Sequence, residues 1–244
     1  MNITRKIYQN LATKGFTGIL ITGEPSIGKS MFACAICREI ASTDKKVPGV
    51  KSKEAWKWAI NNCVYTPKRF DEELEGYSFY NKRRVIVWED IGTTAGKYAF
   101  TLGFKYLNYL KANMDLIRTN LDCLIMTTPS ESDLLDFLGN YGFLKINIVK
   151  GRGKWDRLAT TYHKVNKSKT GSIRRVWQKW FYDTYSAYCP DDMYKYYLEH
   201  SQREQVSTDL RKKMVEAYEI SKKRMIYNNK KLDKDLKELD DGKD

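Results

Sequence analysis

The chain has 244 residues, of which 30% are charged, and carries a formal net charge of +13 at pH 7. This length accommodates one α/β core with an appendage or two small domains, and no stretch reaches the roughly 18 apolar residues of a membrane span. Such an excess of positive charge indicates a polyanionic partner, most often nucleic acid.

The N-terminal stretch and the cysteines both indicate an intracellular, cytoplasmic protein that does not associate with membranes. MNITRKIYQNLATKG has no apolar core of the signal-peptide type, and five cysteines fit reduced thiols better than a disulfide framework. Cys34 and Cys37 form a C-x-x-C motif within a predicted helix, where they share one face. We interpret them as small buried residues, with redox or zinc chemistry as the alternative.

The first predicted elements surround a possible phosphate-binding loop. Phe16–Thr22 is a short apolar run typical of a buried strand, and Lys29–Ala41 is rich in helix formers. Between them, Gly23–Ser30 fits the pattern G-x-x-x-x-G-K-[ST], in which backbone N–H groups and a helix start surround phosphate. In this pattern Lys29 reaches the β- and γ-phosphates and Ser30 reaches Mg²⁺. The candidate nucleotide-binding residues are Gly23, Glu24, Pro25, Ser26, Ile27, Gly28, Lys29, Ser30 and Met31.

A second buried strand ends in two carboxylates. Asn62–Tyr65 is a weaker strand followed by a helix that opens at Thr66-Pro67 and runs through Leu74; the apolar run Val85–Trp88 then precedes Glu89 and Asp90. Ligands of open α/β sheets bind at the carboxyl edge, so both acids can face the phosphate loop. The alternative is an ordinary solvated strand end.

The remaining core elements continue the alternation of helix and strand. We predict a long crossover helix at Tyr98–Thr119, a strand at Leu121–Thr128, a short helix from Ser130 to Gly139, and an edge strand at Phe143–Lys150. Strands alternating with helices predict a parallel sheet with right-handed crossovers.

These motifs together resemble a known family. GEPSIGKS, VIVWEDIG and the strand ending MTTP before an S-x-x-DLL helix look like an additional-strand P-loop ATPase of the AAA+ class. The chain is most similar to the DnaA/DnaC/IstB type, in particular the small DnaA-like ATPases of archaeal viruses and plasmids, over roughly residues 1 to 150. The resemblance implies a P-loop NTPase fold with a parallel five-stranded sheet flanked by helices. It also implies ATP and Mg²⁺ as cofactors, DNA as partner, a homo-oligomer, and a role in viral or plasmid replication in the host cytoplasm.

The resemblance also implies roles for individual residues. Lys29 and Ser30 match the Walker A lysine and metal hydroxyl; Glu89 matches the metal carboxylate and Asp90 the carboxylate that polarises water. Thr127 or Thr128 matches the sensor of the γ-phosphate. Glu89 is one methylene longer than the usual aspartate and Asp90 one shorter than the usual glutamate, which is expected to slow hydrolysis. The implied catalytic residues are therefore Lys29, Glu89, Asp90 and Thr128, and the implied metal ligands Ser30 and Glu89.

The family's arginine finger has no obvious counterpart in this chain. The helix after the sensor strand, DLLDFLGNYG, contains no arginine. Arg118, Arg152 and Arg157 are the candidates, and the alternative for each is a solvated or phosphate-neutralising charge.

The chain changes character after residue 150. Ten basic residues and one acidic residue lie between Lys150 and Lys179, and two strand-like segments there are joined by the turn-rich NKSKTGS. Interleaved aromatic residues favour a basic hairpin that binds nucleic acid; the alternative is a solvated arm with an aromatic core. We predict an ATPase core at 1–150, a basic aromatic β-hairpin at 151–189, and a charged helical region at 190–244. This last region has a narrow apolar stripe through Tyr194, Tyr197, Leu198, Leu210, Met214 and Tyr218. The candidate nucleic-acid contacts are Lys164, Lys167, Lys169, Arg174 and Arg175.

Three hypotheses for function follow. The first is an AAA+ ATPase that couples ATP to DNA binding or remodelling. The second is a nucleotide-gated DNA-binding or scaffold protein with little turnover, favoured by the exchange of glutamate and aspartate. The third is a small-molecule kinase, disfavoured because the arginines follow the core instead of forming a lid within it. A viral DNA packaging motor remains a further alternative.

Overall fold

The computed structural model describes residues 1–13, 15–43, 52–93, 104–133, 141–169 and 172–200. These residues lie within one compact unit, Met1–Ser201. The helices are α1 (Asn2–Ala12), α2 (Lys29–Thr43), α3 (Ser52–Asn61), α4 (Pro67–Glu72), α5 (Phe104–Asn120) and α6 (Asp191–His200). The strands are β1 (Thr17–Thr22), β2 (Cys63–Val64), β3 (Ile86–Trp88), β4 (Cys123–Thr127), β5 (Leu144–Lys150), β6 (Asp156–Lys169) and β7 (Ser172–Ser186).

The described strands form one mixed sheet in the order β2-β3-β4-β1-β5-β6-β7. The pairs from β2 to β5 are parallel, and β6 and β7 are antiparallel to their neighbours. Because β1, β3 and β4 run in the same direction, their carboxyl ends meet at one edge of the sheet. The candidate phosphate loop Gly23–Ser30 (called the phosphate loop below), Glu89 and Thr128 follow these three strands and therefore share that edge.

The sheet has seven strands where the sequence analysis predicts five. β6 pairs with β5 along Lys145–Lys150, so β5 is not the edge strand that was predicted. The hairpin β6–β7 continues the sheet because β5 offers it an unpaired backbone edge, and pairing satisfies those N–H and C=O groups.

Two apolar clusters cover the two faces of the sheet. On one face, β1 contributes Ile19 and Ile21, which pack with α1, α2, α3 and α6. On the other face, Leu20 packs with residues of α4 and α5. The alternation along β1 is that of a central strand buried on both faces.

Two helices have no counterpart in the sequence analysis. α1 buries Ile3 and Ile7, one helical turn apart, and α3 buries Trp56 and Ile60 with the same spacing. The predicted stripe on α6 is wrong in part: Met193 and Tyr197 are buried, whereas Tyr194 and Leu198 are about half exposed. A spacing of four residues therefore defines the buried face of α6, and Tyr194 lies beside that face.

Several predictions lie wholly or partly outside the described residues. These are residues 98–103 of the crossover helix, most of the helix from Ser130 to Gly139, the turn at 170–171, and residues 201–244. Among the described helices, none combines the length and apolar character needed to cross a membrane.

Candidate phosphate-binding site

The loop between β1 and α2 has a backbone that requires glycine at two positions. Gly23 has φ +147° and Gly28 has φ +102°. A Cβ on Gly23 would lie 2.8 Å from the carbonyl oxygen of Ile148, and one on Gly28 would lie 2.9 Å from the Cβ of Ala187. Both glycines are therefore needed for conformation and for close packing against β5 and the end of the hairpin.

The side chain of Lys29 turns back over the loop. Its Nζ lies 3.0 Å from the carbonyl oxygen of Gly23 and 2.8 Å from that of Glu24, and the residue is buried. The ammonium group is thus held at the end of the loop that follows β1. A phosphate bound there would meet a positive charge already in position.

Glu89 lies directly across from the start of α2. Ser30 Oγ donates a hydrogen bond of 2.5 Å to Glu89 Oε2, which joins the last residue of the loop to the strand end after β3. The same oxygen accepts a 2.8 Å hydrogen bond from the hydroxyl of Tyr197 in α6. Tyr197 in turn lies 2.6 Å, oxygen to oxygen, from the hydroxyl of Tyr65.

Burial controls the charge of this carboxyl group. Glu89 is 1% exposed, and this burial raises its pKa above the ordinary value, while the hydrogen bonds from Ser30 and Tyr197 lower it. Burial also raises the pKa of Tyr197 and of Tyr65, and the nearby charge of Glu89 adds to both shifts. The two phenols therefore stay protonated and can act as donors.

The residues at this point fit a magnesium ion. Ser30 Oγ and Glu89 Oε2 are adjacent, and Glu89 Oε1 is buried with no hydrogen-bond partner among the described residues. A hydroxyl and a carboxylate are the hard oxygen ligands that Mg²⁺ prefers. Mg²⁺ usually keeps several waters and binds substrate phosphates beside one or two carboxylates, so phosphate oxygens and water would complete its coordination. No group of three or more histidine, cysteine or acidic side chains suited to a metal occurs in the described ranges.

Asp90 has an unusual backbone conformation, two residues after the end of β3. Its φ is +47°, in the left-handed region that aspartate tolerates better than most residues. Its N–H donates a 3.0 Å hydrogen bond to Thr127 Oγ1. Thr128 donates from its hydroxyl to the carbonyl oxygen of Ser130, 3.1 Å away. The structure therefore separates the two threonines: Thr127 positions Asp90, and Thr128 organises the segment after β4.

The hairpin braces the phosphate loop from the side. Arg157, which is buried, donates from Nε to the carbonyl oxygen of Ile27 at 2.7 Å. The hydroxyl of Tyr185 donates to the carbonyl oxygen of Gly28 at 3.0 Å, and its ring packs 4.5 Å from that of Phe32, centroid to centroid. Two strands that the sequence analysis assigns to a separate extension thus contact the loop itself.

The three arginine-finger candidates lie in different environments. Arg118 and Arg152 are exposed, whereas Arg157 is the buried brace just described. Of the five basic candidates for nucleic-acid contact, Lys164 lies beside the ring of Trp177, with Nζ 5.1 Å from the centroid. The backbones of the other four lie where the hairpin extends beyond its pairing with β5, and their side chains lie outside the description.

The C-x-x-C cysteines belong to α2 and lie on its buried face as small residues. Cys34 and Cys37 are free thiols, and the sulfur atoms of Cys34 and Cys63 are 4.0 Å apart. Burial raises the pKa of the Cys37 thiol, which keeps it protonated and unreactive.

Sequence reasoning missed Tyr65, Tyr197 and Tyr185 as parts of this site. The chain contains 17 tyrosines, and nothing in the residues next to these three distinguishes them. The sequence predicts Tyr197 only as part of the apolar stripe of α6, where the structure buries it beside Met193.

Comparison with known proteins yields fold-level similarities of low score. No family model matches the chain, and no curated protein matches it. Among solved structures, the N-terminal domain of zonular occludens toxin from Neisseria meningitidis is similar at 12% identity and TM-score 0.37, covering 74% of this chain and 97% of that one. The flagellar accessory protein FlaH from Methanocaldococcus jannaschii is similar at 14% identity and TM-score 0.37, with coverages of 72% and 95%. A KaiC-like protein from Pyrococcus horikoshii OT3 is similar at 16% identity and TM-score 0.33, with coverages of 68% and 85%. At these scores the similarities assign neither a family nor a function.

Proposed function

We propose that the protein is a P-loop ATPase that binds ATP with Mg²⁺ and couples the state of the nucleotide to a bound nucleic acid. The observation that carries the proposal is the 2.5 Å contact between Ser30 of the loop and Glu89 of the neighbouring strand end. In P-loop NTPases the metal is held by the loop hydroxyl and by such a carboxylate.

The residues of the site divide the chemistry among them. Lys29 and the N–H groups of the Gly23–Ser30 loop would bind the phosphates, and Ser30 with Glu89 would hold the metal ion. When bound, Mg²⁺ neutralises phosphate charge. Asp90, positioned by Thr127, would orient and deprotonate the attacking water.

The same proposal extends to the type of ATPase, the roles of the three segments of the chain and the partner that the protein binds. β4 lies between β1 and β3, as an additional strand does in the family that the sequence resembles. We propose residues 1–150 as the nucleotide-binding core, 151–189 as the nucleic-acid arm and 190–244 as a charged helical region. We also propose DNA as the polyanion and a homo-oligomer as the working form, in a DnaA-like replication role in the cytoplasm. The charge of +13 and the basic run of the hairpin support the choice of partner.

The second candidate function is a nucleotide-gated DNA-binding or scaffold protein that binds ATP but hydrolyses it slowly. It is favoured by the order of the two acids, because Glu89 is one methylene longer and Asp90 one methylene shorter than the usual residues of the family that the sequence resembles, which would displace the attacking water and slow hydrolysis.

The test is an ATP titration of the wild-type protein, Lys29→Ala and, as matched control, the exposed-lysine variant Lys111→Ala. We expect Lys29→Ala to lose about 100-fold in affinity, because the ammonium contacts phosphate directly, and Lys111→Ala to bind normally. Thermal unfolding checks that both variants fold. Unchanged ATP affinity in Lys29→Ala would remove the basis of the proposal.

Turnover with and without DNA then separates the two candidates. An ATPase coupled to nucleic acid should hydrolyse ATP faster when single- or double-stranded DNA is added. Tight ATP binding with no turnover under either condition would instead support the nucleotide-gated binder.

A further inference from the structure

A cavity of about 760 Å³ lies beside the phosphate loop, within the usual range for small-ligand sites. It is bounded by the Gly23–Pro25 part of the loop, by Pro129–Ser132 after β4, and by Lys145, Asn147, Tyr162 and Trp177. The last four residues belong to β5, β6 and β7, so the cavity extends from the phosphate loop to the hairpin β6–β7. We call it the hairpin pocket.

The hairpin pocket lies on the face of the sheet opposite α2. Along β5, Ile146 and Ile148 belong to the cluster that packs against α2, so Lys145 and Asn147 point to the other face. Tyr162 pairs with Lys145 and therefore shares this face. The pocket is thus distinct from the contacts that Ser30 and Glu89 make at the start of α2.

The chemistry of the pocket suits a nucleobase. Trp177 is 36% exposed within a concave site, and Lys164 and Lys145 hold their Nζ atoms 5.1 Å and 5.8 Å from its ring centroid. An accessible aromatic ring beside cations is the arrangement that stacks a base and neutralises the adjoining phosphate. Asn147, together with the ion pair of Lys145 and Glu131, supplies hydrogen-bonding groups for the edge of a base.

The position of Lys29 indicates which molecule the base belongs to. Its Nζ contacts the carbonyl oxygens of Gly23 and Glu24, and the lysine of a P-loop contacts the β- and γ-phosphates. The pocket therefore borders the terminal-phosphate end of a bound ATP, whose own base lies at the opposite end of that molecule. A base in the hairpin pocket would belong to a second ligand, and the basic hairpin leads directly to it.

We propose that the hairpin pocket receives one base of a single-stranded nucleic acid, with Trp177 as the stacking surface and Lys164 as a contact for the neighbouring phosphate. This inference rests on the proposed function, since it takes nucleic acid to be the polyanion that the hairpin binds. It adds a specific route of coupling, because the base and the terminal phosphate would share the Gly23–Pro25 part of the loop.

The test compares two ligands that differ only in their bases. One is an oligothymidylate of 15 nucleotides; the other is an abasic sugar–phosphate oligomer with the same number of phosphates. Binding is measured by fluorescence anisotropy at one salt concentration for the wild type, Trp177→Ala, Trp177→Phe and Trp155→Ala. Trp155 is the matched control, because it is also an exposed tryptophan beside a lysine, Lys154, but lies outside the pocket.

We expect the preference for oligothymidylate over the abasic oligomer to fall by about tenfold in Trp177→Ala, because one base loses its stacking partner. Trp177→Phe, which keeps an aromatic ring, and Trp155→Ala should retain the preference. Affinity for the abasic oligomer should not change. Thermal unfolding checks that each variant folds.

Three outcomes would overturn the inference. If the wild type binds oligothymidylate and Trp177→Ala keeps the full preference, the pocket holds no base and the proposed function survives. If Trp177→Ala weakens binding of ATP but not of inorganic tripolyphosphate, the pocket holds the base of the nucleotide itself. If the wild type binds ATP but neither oligomer, the nucleic-acid half of the proposed function fails, and this inference fails with it.

Discussion

Glu89 and Asp90 are adjacent in sequence but have different surroundings, and we expect different consequences when each loses its charge. Glu89 is buried against Ser30, so Glu89→Gln should weaken ATP binding in the presence of Mg²⁺ and leave binding without Mg²⁺ largely unchanged. Asp90 is half-buried and positioned by Thr127, so Asp90→Asn should keep ATP binding and slow turnover about 100-fold or more. Titration with and without Mg²⁺, followed by single-turnover hydrolysis, measures both effects. Full turnover in Asp90→Asn would show that another group activates the water.

Tyr197 stabilises the charged form of Glu89, and its removal should change the pH dependence of the site. Burial raises the pKa of Glu89 and the hydrogen bond from Tyr197 lowers it, so Tyr197→Phe should raise this pKa further. In the proposed site, the carboxylate that would hold Mg²⁺ then forms only at higher pH. We expect the pH midpoint of Mg²⁺-dependent ATP binding to move upward, with about tenfold weaker binding below the midpoint.

Tyr196→Phe provides the control for this experiment. It removes a tyrosine hydroxyl from the same helix, but that hydroxyl donates to Asn61, away from Glu89. Its pH profile should match that of the wild type. Equal shifts in both variants would mean that α6 acts only through general packing.

The folding stability of the nucleotide-free protein should also depend on pH through Glu89, and the direction of this dependence follows from the pKa of that residue. The folded-state pKa of Glu89 lies above its unfolded value, so folding stability is highest below the unfolded pKa and is lost as pH rises through the folded pKa. Glu89→Gln removes this loss. Urea unfolding across pH should show the variant gaining on the wild type as pH rises, and a difference that does not vary with pH would contradict the assignment.

At the level of single elements, the hairpin β6–β7 has two regions with different expected roles. Its root pairs with β5 and braces the loop through Arg157 and Tyr185, and its outer part extends beyond β5. Charge reversal in the outer part should therefore weaken nucleic-acid binding and leave ATP affinity unchanged. The substitutions are Lys167→Glu, Lys169→Glu, Arg174→Glu and Arg175→Glu together.

Salt titration distinguishes a specific contact from general charge. For duplex DNA the log–log slope of affinity against salt is about −0.9 for each phosphate neutralised, so the hairpin variant should show a clearly flatter slope. The matched control reverses four exposed basic residues elsewhere, Arg5, Lys57, Lys111 and Lys195, and changes the net charge equally. If both variants lose the same slope, net charge alone drives the binding.

The elements also show why the sequence predicts the core better than its surroundings. β1 and α2 were predictable because a short apolar run, two glycines and a lysine-serine pair identify them locally. α1 and α3 were missed because each presents only two large buried side chains among polar residues, a weak periodic signal. The pairing of β6 with β5 was not predictable, since an alternating strand reads the same at an edge and beside a partner.

For the whole molecule, the contacts of the loop imply that a nucleotide bound there would also stabilise segments beyond the loop. The carbonyl groups of Ile27 and Gly28 are held by β6 and β7, and Glu89 is held by α6. Hydrogen exchange should therefore slow not only in the loop but also in 156–161 and 181–186 when ATP and Mg²⁺ bind. The slowing can approach 100-fold at a ligand concentration 100 times the Kd.

A distal segment and a point variant control this measurement. α4 packs on the opposite face of the sheet and should exchange at the same rate with and without nucleotide. Tyr185→Phe should keep the slowing in the loop and lose most of it in 181–186. Uniform slowing everywhere would indicate global stabilisation instead of transmission through these contacts.

The irregularity in the hairpin has a consequence for which changes β7 can accept. Trp177 lines the hairpin pocket, and Tyr185 contacts the phosphate loop on the other side of the sheet. An even number of positions separates these residues, so an uninterrupted strand would direct both to the same side. The register shift between Thr161 and Tyr162, opposite Trp180, changes the parity and lets one strand serve both sides. Deleting one residue at this point would move either Trp177 or Tyr185 to the wrong side. During evolution, β7 should therefore accept amino-acid substitutions at many positions but almost no insertion or deletion.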